Sequence, residues 1–391
     1  LATACLGVIA AGASWLRRLI QQRQVIRSHG CKPVRKYANR DTIFGSDMTL
    51  DTIRNFRAHR LLEAAVERFR EYGNTFKAKE IGRYGVTTIE PENIKTVLSL
   101  NFKDYTLGHR IKEFGPLLGA GIFDTDGEHW AASRALLRPN FTRDQVADLT
   151  MFEKLFQDMF ALLPQDGETI IDLQSLFFRY TLDSATEFLF GQSVGSLKEP
   201  DAAALALGAV QNKATKPTMT YGYAFDYAQK AIIMRGMLGP LGFFYRDKEA
   251  DKCNKYCRDF AQQFVDEAVR VVQERAKLEK TDSSDATPDK YVFLHELASR
   301  TTDKRRLLDE LMNVLLAGRD TTGGLLSNLF FMLAKHPAMW DKLRNEVATL
   351  NGRVPTYDDL RKLKYVQCCL NECKQTFLMV IPPLLPVRKL I

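Results

Sequence analysis

Two short stretches of this chain hold residue types whose spacing can do chemistry. In GEHWAASRALLR, residues 127–138, Trp130 and Arg134 stand four apart. On a helix that spacing puts an indole N–H and a guanidinium on one face, where both can donate to a single anion. The same spacing also suits a plain surface stack of guanidinium on indole. In LLAGRDTTGG, residues 315–324, three glycines, two threonines and an aspartate interrupt an apolar helical pattern, and all three types are weak helix formers. A glycine lets another body approach the backbone, while Asp320 and Thr321 beside it can divert hydrogen bonds. The stretch therefore suits a buried ligand that consumes protons. The competing reading is a glycine-kinked core helix without chemistry.

The elements that must position these residues follow from periodicity. Leu308, Leu311, Leu315, Gly318, Thr322, Leu325, Leu329 and Leu333 fall at steps of three and four, so Gly318 and Thr322 are expected to replace bulk on a buried stripe and open a local kink. A helix over 304–336 would be about 50 Å long at ~1.5 Å per residue, enough to cross a whole domain. Residues 51–72 read as one helix, 76–90 as a hairpin around Gly82, and Pro91 as the start of another helix. The glycine-rich run 115–127 reads as a loop. Further helices are expected at 143–163, 171–190, 201–213, 251–279 and 357–374, with an exposed linker at 281–290. The sum is a mainly α fold with a small β-sheet near its start, not a βαβ alternation.

Composition narrows the function. The 391 residues are 45% hydrophobic, enough for a substantial core. A net charge of +8 suits an acidic partner or an anionic membrane surface, but no basic run is interleaved with aromatics, so no nucleic-acid partner is expected. The seven cysteines lack a disulfide framework and read as reduced thiols. Cys253 with Cys257 and Cys369 with Cys373 are each four apart; a Cys₄ zinc site is conceivable, and small core fillers are favoured. No glycine-rich phosphate loop follows a strand, against a directly bound nucleotide. At the N-terminus LATACLGVIAAGASWL carries no charge, and Arg17, Arg18, Arg23 and Arg27 follow it. That order predicts a clipped membrane anchor over residues 1–20, with the body on the cytosolic side.

Taken together, Trp130 and Arg134 as W-x-x-x-R, the LLGAGIFDTDGEHW lead-in, the A-G-x-D-T-T of Ala317, Gly318, Asp320, Thr321 and Thr322, and an LNEC at 370–373 with Glu372 as the acid of an E-x-x-R helix resemble a cytochrome P-450, a haem-thiolate monooxygenase. The run 101–149 looks most like the fungal branch that hydroxylates alkanes and fatty acids. The resemblance implies a cytochrome P-450 fold over 21–391. It implies haem b held at its propionates by Trp130 and Arg134, and room for oxygen and substrate beside Ala317 and Gly318. It assigns Thr321 to hydrogen bonding at the activated oxygen and Asp320 to carrying protons inward. It also implies a flavoprotein reductase supplying electrons from NADPH, a long-chain apolar substrate, and residence on the endoplasmic reticulum membrane. Residues 208–231 fall where the family's substrate-capping helices lie, with Tyr223, Phe225 and Phe243 lining a lipid channel or simply packing in the core.

Departures from the pattern set further expectations. The family's axial ligand is a cysteine in a late F-x-x-G-x-R-x-C-x-G loop; none of the seven cysteines has that context, so no metal ligand is assigned. Gln375 stands where the E-x-x-R arginine belongs, and Gln cannot supply the guanidinium fork. Arg388 is a weak match to a later propionate-binding arginine. The haem domain is therefore expected to be C-terminally truncated and inactive as it stands, with an atypical tail over 372–391 and a mis-spliced segment over 374–391. The alternative is a haem-free, membrane-tethered helical scaffold or lipid-binding pseudoenzyme.

Overall fold

Phe76 and Ala78 alternate with half-buried neighbours along Thr75–Glu80 (β2), a period of two that puts one strand face on a core. The computed structural model describes residues 2–28, 30, 33–141, 149–199, 218–278 and 292–376. β2 pairs antiparallel with Arg83–Thr88 (β3), from Thr75 opposite Thr88 to Glu80 opposite Arg83, and parallel with Arg35–Lys36 (β1). The two-residue turn places Ile81 and Gly82 at φ 43° and 76°, the positive values that a tight hairpin matching strand twist demands. This is the expected hairpin around Gly82.

The chain divides into two compact units. Among the described residues, one comprises 2–28, 30, 33–110 and 233–246; the other comprises 111–141, 149–199, 218–232, 247–278 and 292–376. The first contains Ala2–Ser28 (α1), the sheet, Ser46–Arg57 (α2), Leu61–Tyr72 (α3) and Pro91–Lys95 (α4). Its small core joins Met48, Phe76 and Ala78 to Tyr37, Phe69 and Tyr72. Residues 51–72 are not one helix as expected: His59 takes φ 54° and the Arg60 N–H closes back on the Asn55 carbonyl, which ends α2. The left-handed residue is a histidine, so no glycine or asparagine signals the break. Among the described residues no helix is long and apolar enough to cross a membrane, so the anchor reading of residues 1–20 rests on charge order alone.

The second unit is helical: Arg110–Leu118 (α5) from Ile111 onward, Gly127–Leu137 (α6), Thr150–Phe160 (α7), Leu173–Phe190 (α8), Tyr221–Leu238 (α9) up to Ile232, Lys248–Leu278 (α10), Phe293–Arg300 (α11), Lys304–Lys335 (α12), Pro337–Ala348 (α13), Tyr357–Lys362 (α14) and Lys364–Thr376 (α15). α5 takes the first part of the expected 115–127 loop. The main core runs through α8 to α12 and includes Leu182, Phe225, Val265, Leu297, Leu311 and Leu315. The 32-residue α12 is its axis, capped by Asp303, whose side chain accepts from the Arg306 N–H at 3.1 Å. Its most extensive partner is α8. Gly323 makes that approach possible: a β-carbon there would lie 2.8 Å from Phe178 and 3.1 Å from the Thr181 hydroxyl.

The expected helix at 357–374 is two. Thr356 and Asp359 form a capping box on α14, and the Glu346 carboxylate accepts from the Tyr365 and Val366 N–H groups at 3.0 and 2.9 Å, starting α15 afresh after Leu363. The helix at 201–213, the linker at 281–290 and the tail from residue 377 lie outside the described residues.

Candidate functional site

The middle of α12 departs from the expected stripe. Leu308, Leu311, Leu315, Leu329 and Leu333 are buried, but Gly318, Thr321 and Thr322 are exposed, while Arg319, Gly323 and Gly324 are buried in their stead. Gly318 and Thr322 therefore do not sit on the buried face. They open a window of about one turn midway along a helix buried on either side of it, from Leu307 to Leu315 and again at Gly323, Gly324 and Leu329. The helix also continues without a break through Asp320 and Thr321, whose hydroxyl donates to the Ala317 carbonyl at 2.7 Å. The expected opening of the backbone is absent because that back-bond is compatible with an α-helix.

The stripe shifts because Arg319 is stable inside. Its guanidinium lies 2.6 Å from Asp226 Oδ1 on α9 and 3.0 Å from Asp320 Oδ1, and it sits over the rings of Phe178 and Phe225 at 5.1 and 5.6 Å. Gln229, with its amide nitrogen toward Asp320, donates to Oδ2, while its oxygen accepts from Arg319 Nη1 at 3.0 Å. Burial pushes the Asp320 carboxyl above its ordinary range; Arg319 pulls it back and Asp226 pushes it further up. The sequence reading passed over this cluster, because Arg319 and Asp226 are far apart in the chain and meet only in the fold.

Trp130 and Arg134 share a face of α6 as their spacing required, with the guanidinium 5.7 Å from the indole centroid. Trp130 is half-buried and Arg134 exposed, with no ion pair to Arg134 among the described residues. The stack is the plainer of the two sequence readings; a shared anion stays a proposal. The arrangement leaves the cation able to meet an anion.

What holds α6 against α12 was not legible in sequence. After α5 the chain crosses α12 as Gly119–Ala120–Gly121–Ile122–Phe123, and its amides are taken one after another by buried side chains of α12. The Ala120 N–H donates to Asp309 Oδ2 at 2.9 Å, Ile122 to Glu310 Oε2 at 3.2 Å and Phe123 to Asn313 Oδ1 at 3.0 Å. Asn313 Nδ2 returns a bond to the Leu118 carbonyl at 3.1 Å. Arg258 of α10 donates to Asp309 Oδ1 at 2.7 Å and to the Leu117 carbonyl at 3.2 Å. Both glycines are required sterically: a β-carbon on Gly119 would lie 1.8 Å from Asp309, and one on Gly121 2.3 Å from Asn313. His129 on the first turn of α6 bonds the Ala120 carbonyl at 2.8 Å. Burial pushes the Glu310 carboxyl above its ordinary range against the pull of Ser133 on α6 and of the Ile122 amide.

The other sequence candidates separate. Phe225 is fully buried under Arg319, and Tyr223 packs at the edge of the same core beside Tyr227, so both are core residues; Phe243, in the first unit, is 73% exposed. Cys253 and Cys257 are buried in the main core, where burial raises both thiols, whereas Cys369 and Cys373 pack with Leu329, Leu333 and Trp340. The two cysteine pairs thus sit in different clusters, and among the described residues no group of His, Cys, Asp and Glu is placed to hold a metal ion. Glu372 is exposed on α15 with no ion pair among the described residues, and Gln375 is exposed on the same helix.

The residues present fit a haem at its edges. An exposed guanidinium stacked on an indole suits a propionate, and the window at Gly318 and Thr321 suits a flat apolar group laid against the helix. The cytochrome P450 family model matches residues 48–374. The chain is 43% identical to the cytochrome P450 monooxygenase himC of Aspergillus japonicus, over 90% of this chain and 61% of that protein. It is 41% identical to the cytochrome P450 monooxygenase fsdH of Fusarium heterosporum, over 95% and 64%. With cytochrome P450 52A7 of Candida tropicalis the identity is 37%, over 92% and 69%. It thus spans roughly two thirds of the length of these relatives or slightly less. A mainly helical body with one small sheet, the W-x-x-x-R pair on α6, the A-G-x-D-T-T window on α12 and these matches lead to one conclusion: the chain belongs to the cytochrome P450 family.

Proposed function

We propose that this chain supplies the oxygen-side helix and part of the propionate grip of a membrane-bound haem-thiolate monooxygenase acting on long-chain apolar substrates, fatty acids or n-alkanes. The observation that carries the reading is Gly318. Its φ is ordinary for a helix, and a β-carbon there would meet only Ala185, at a comfortable 3.6 Å. Neither packing nor backbone conformation asks for glycine, which costs a helix about 1 kcal/mol relative to alanine. A residue the fold does not need, at a cost in stability, in an exposed window midway along a largely buried helix, is expected of a functional surface.

Haem, when bound, supplies the oxygen-activating redox chemistry. The protein's residues supply the rest. Arg134, with the Trp130 indole, would neutralise a propionate. Gly318 and Ala317 keep the surface of α12 low. The Thr321 hydroxyl, bonded only to a carbonyl of its own helix, can turn its proton toward a group in the window. Asp320 holds its proton to higher pH than an ordinary aspartate and stands next to Thr321 in sequence, with its carboxyl tied into the Arg319, Asp226 and Gln229 cluster. Such an acid can refill a proton given up nearby. A flavoprotein reductase drawing on NADPH would deliver electrons, and the uncharged N-terminal run followed by arginines would tether the body to the cytosolic face of the endoplasmic reticulum membrane.

The test is hemin reconstitution of the expressed chain, followed by reduction and addition of carbon monoxide, and in parallel turnover of a long-chain fatty acid by the intact protein. A Soret band with hydroxylated product supports the monooxygenase reading. Absence of hemin uptake together with retention of the fatty acid assigns the chain to the lipid-binding scaffold instead.

A further inference from the structure

We propose that Asp309, Glu310 and Asn313 are positioning residues: they fix the 118–123 backbone across α12 and so set the register of Trp130 and Arg134 against the Gly318 window. Three consecutive contacts run from the loop to side chains on two adjoining turns of one helix. All three acceptor residues are at most 3% exposed, so each is a buried polar residue that meets the loop amides. A slipped loop would leave those buried acceptors without their donors, which is why such a seam holds one register. The two glycines leave no slack, because any side chain at 119 or 121 would displace Asp309 or Asn313.

The seam reaches the grip by two short routes. Phe123 is four residues before the start of α6 at Gly127, and His129 bonds back to Ala120. Ser133, one residue before Arg134, is fully buried against Glu310. On α12 the anchoring positions precede Gly318 by five to nine residues along one continuous helix. A slip of the loop by one residue would therefore carry Trp130 and Arg134 along the helix axis relative to the window. None of the three anchors needs to touch a ligand.

The functional meaning rests on the haem reading above, so the experiment separates the two. Label the 391-residue chain with 5-fluorotryptophan; Trp15, Trp130 and Trp340 give three ¹⁹F lines, assigned by single Trp→Phe variants. Without any ligand, Asp309→Asn, whose one remaining oxygen cannot accept from both Ala120 and Arg258, and Gly121→Ala are expected to move the Trp130 line and leave the Trp340 line in place. The isosteric Glu310→Gln, which keeps an oxygen for Ile122, is expected to leave both. Hemin is then titrated: Asp309→Asn and Arg134→Ala should each weaken its affinity about tenfold, the usual size of a supporting-residue effect. A Trp130 line that stays put in both disruptive variants overturns the positioning role, whatever hemin does. Unchanged hemin affinity in Arg134→Ala, with the Trp130 line still responding to Gly121→Ala, overturns the haem reading and leaves the seam standing. If Gly121→Ala collapses all three lines, Asp309→Asn alone decides, and a Trp130 line that stays put there overturns the seam.

Discussion

Arg319 Nη2 lies 2.6 Å from Asp226 Oδ1, joining α12 to α9 through a guanidinium only 6% exposed. Its other arm holds Asp320 Oδ1 at 3.0 Å, and two phenyl rings cover its faces. One cation thus serves two carboxylates beside the Gly318 window. The partners are not equivalent, since the Asp226 side chain is 48% exposed.

That asymmetry sets the first prediction. Arg319→Met strands the half-buried Asp320 carboxyl without its cation and is expected to cost about 3 kcal/mol, the penalty for breaking a buried pair from one side. Asp226→Asn removes a partner that water can replace and is expected to cost about 1 kcal/mol or less. Urea unfolding midpoints of the two variants check the order; an Asp226 variant as damaging as the Arg319 variant would show that the Asp226 contact, not the pairing of Arg319 with Asp320, holds the cluster.

Two glycines five residues apart should respond in opposite directions. Gly318→Ala meets only Ala185 at 3.6 Å, so it should raise stability by about 0.5–1 kcal/mol through helix propensity. Gly323→Ala drives a methyl to 2.8 Å from Phe178 and should lower stability by about 1–3 kcal/mol through overpacking. Thermal or urea denaturation of both variants decides it. If Gly318→Ala instead destabilises, the fold does need that glycine, and the argument that it is kept for function falls.

The sequence disclosed what repeats or punctuates. The 304–336 helix, the hairpin at Gly82 and the helix opened by Pro91 were legible because leucines at three- and four-residue steps, a turn glycine and a proline are local signals. The Trp130 and Arg134 stack was legible for the same reason. What stayed hidden depended on partners distant in the chain. Arg319 became a core residue through Asp226, and Asp309 and Glu310 became core residues through the amides of Ala120 and Ile122. Polar residues enter an interior only when something far away in sequence satisfies them, so a pattern that sorts residues into apolar and polar will place them outside. The slip of the buried stripe by one residue at Gly318 follows directly from that error.

Glu310 offers a pH signature. Burial raises its pKa in the folded chain above the ordinary glutamate value, so the folded state binds the proton more tightly than the unfolded state does. The stabilisation from that group is complete below the unfolded pKa and is lost as pH rises through the folded pKa. Glu310→Gln cannot titrate and keeps the acceptor for Ile122. Relative to the parent chain it should become steadily more stable as pH rises from the ordinary glutamate range through the raised folded pKa, then stay level. Parallel unfolding curves across that range test the sign; a variant that loses ground as pH rises would mean that Glu310 is held ionised in the fold.

Thr321 gives the sharpest functional test. Its side chain is exposed and its hydroxyl bonds only the Ala317 carbonyl four residues back, an interaction that does little for a helix. Thr321→Val keeps the shape and removes the proton, so stability should change by less than about 0.5 kcal/mol, as for surface positions generally. On the proposed function, the intact protein should nevertheless lose hydroxylation by about 100-fold, the lower end of what a positioned proton donor contributes, with substrate affinity unchanged. Thr321→Ser retains the donor and should recover most of the rate. Steady-state turnover of a long-chain fatty acid, measured beside substrate binding, separates the outcomes: a loss in the Ser variant with none in the Val variant would point to the methyl and not the hydroxyl, and the window would then act by shape alone.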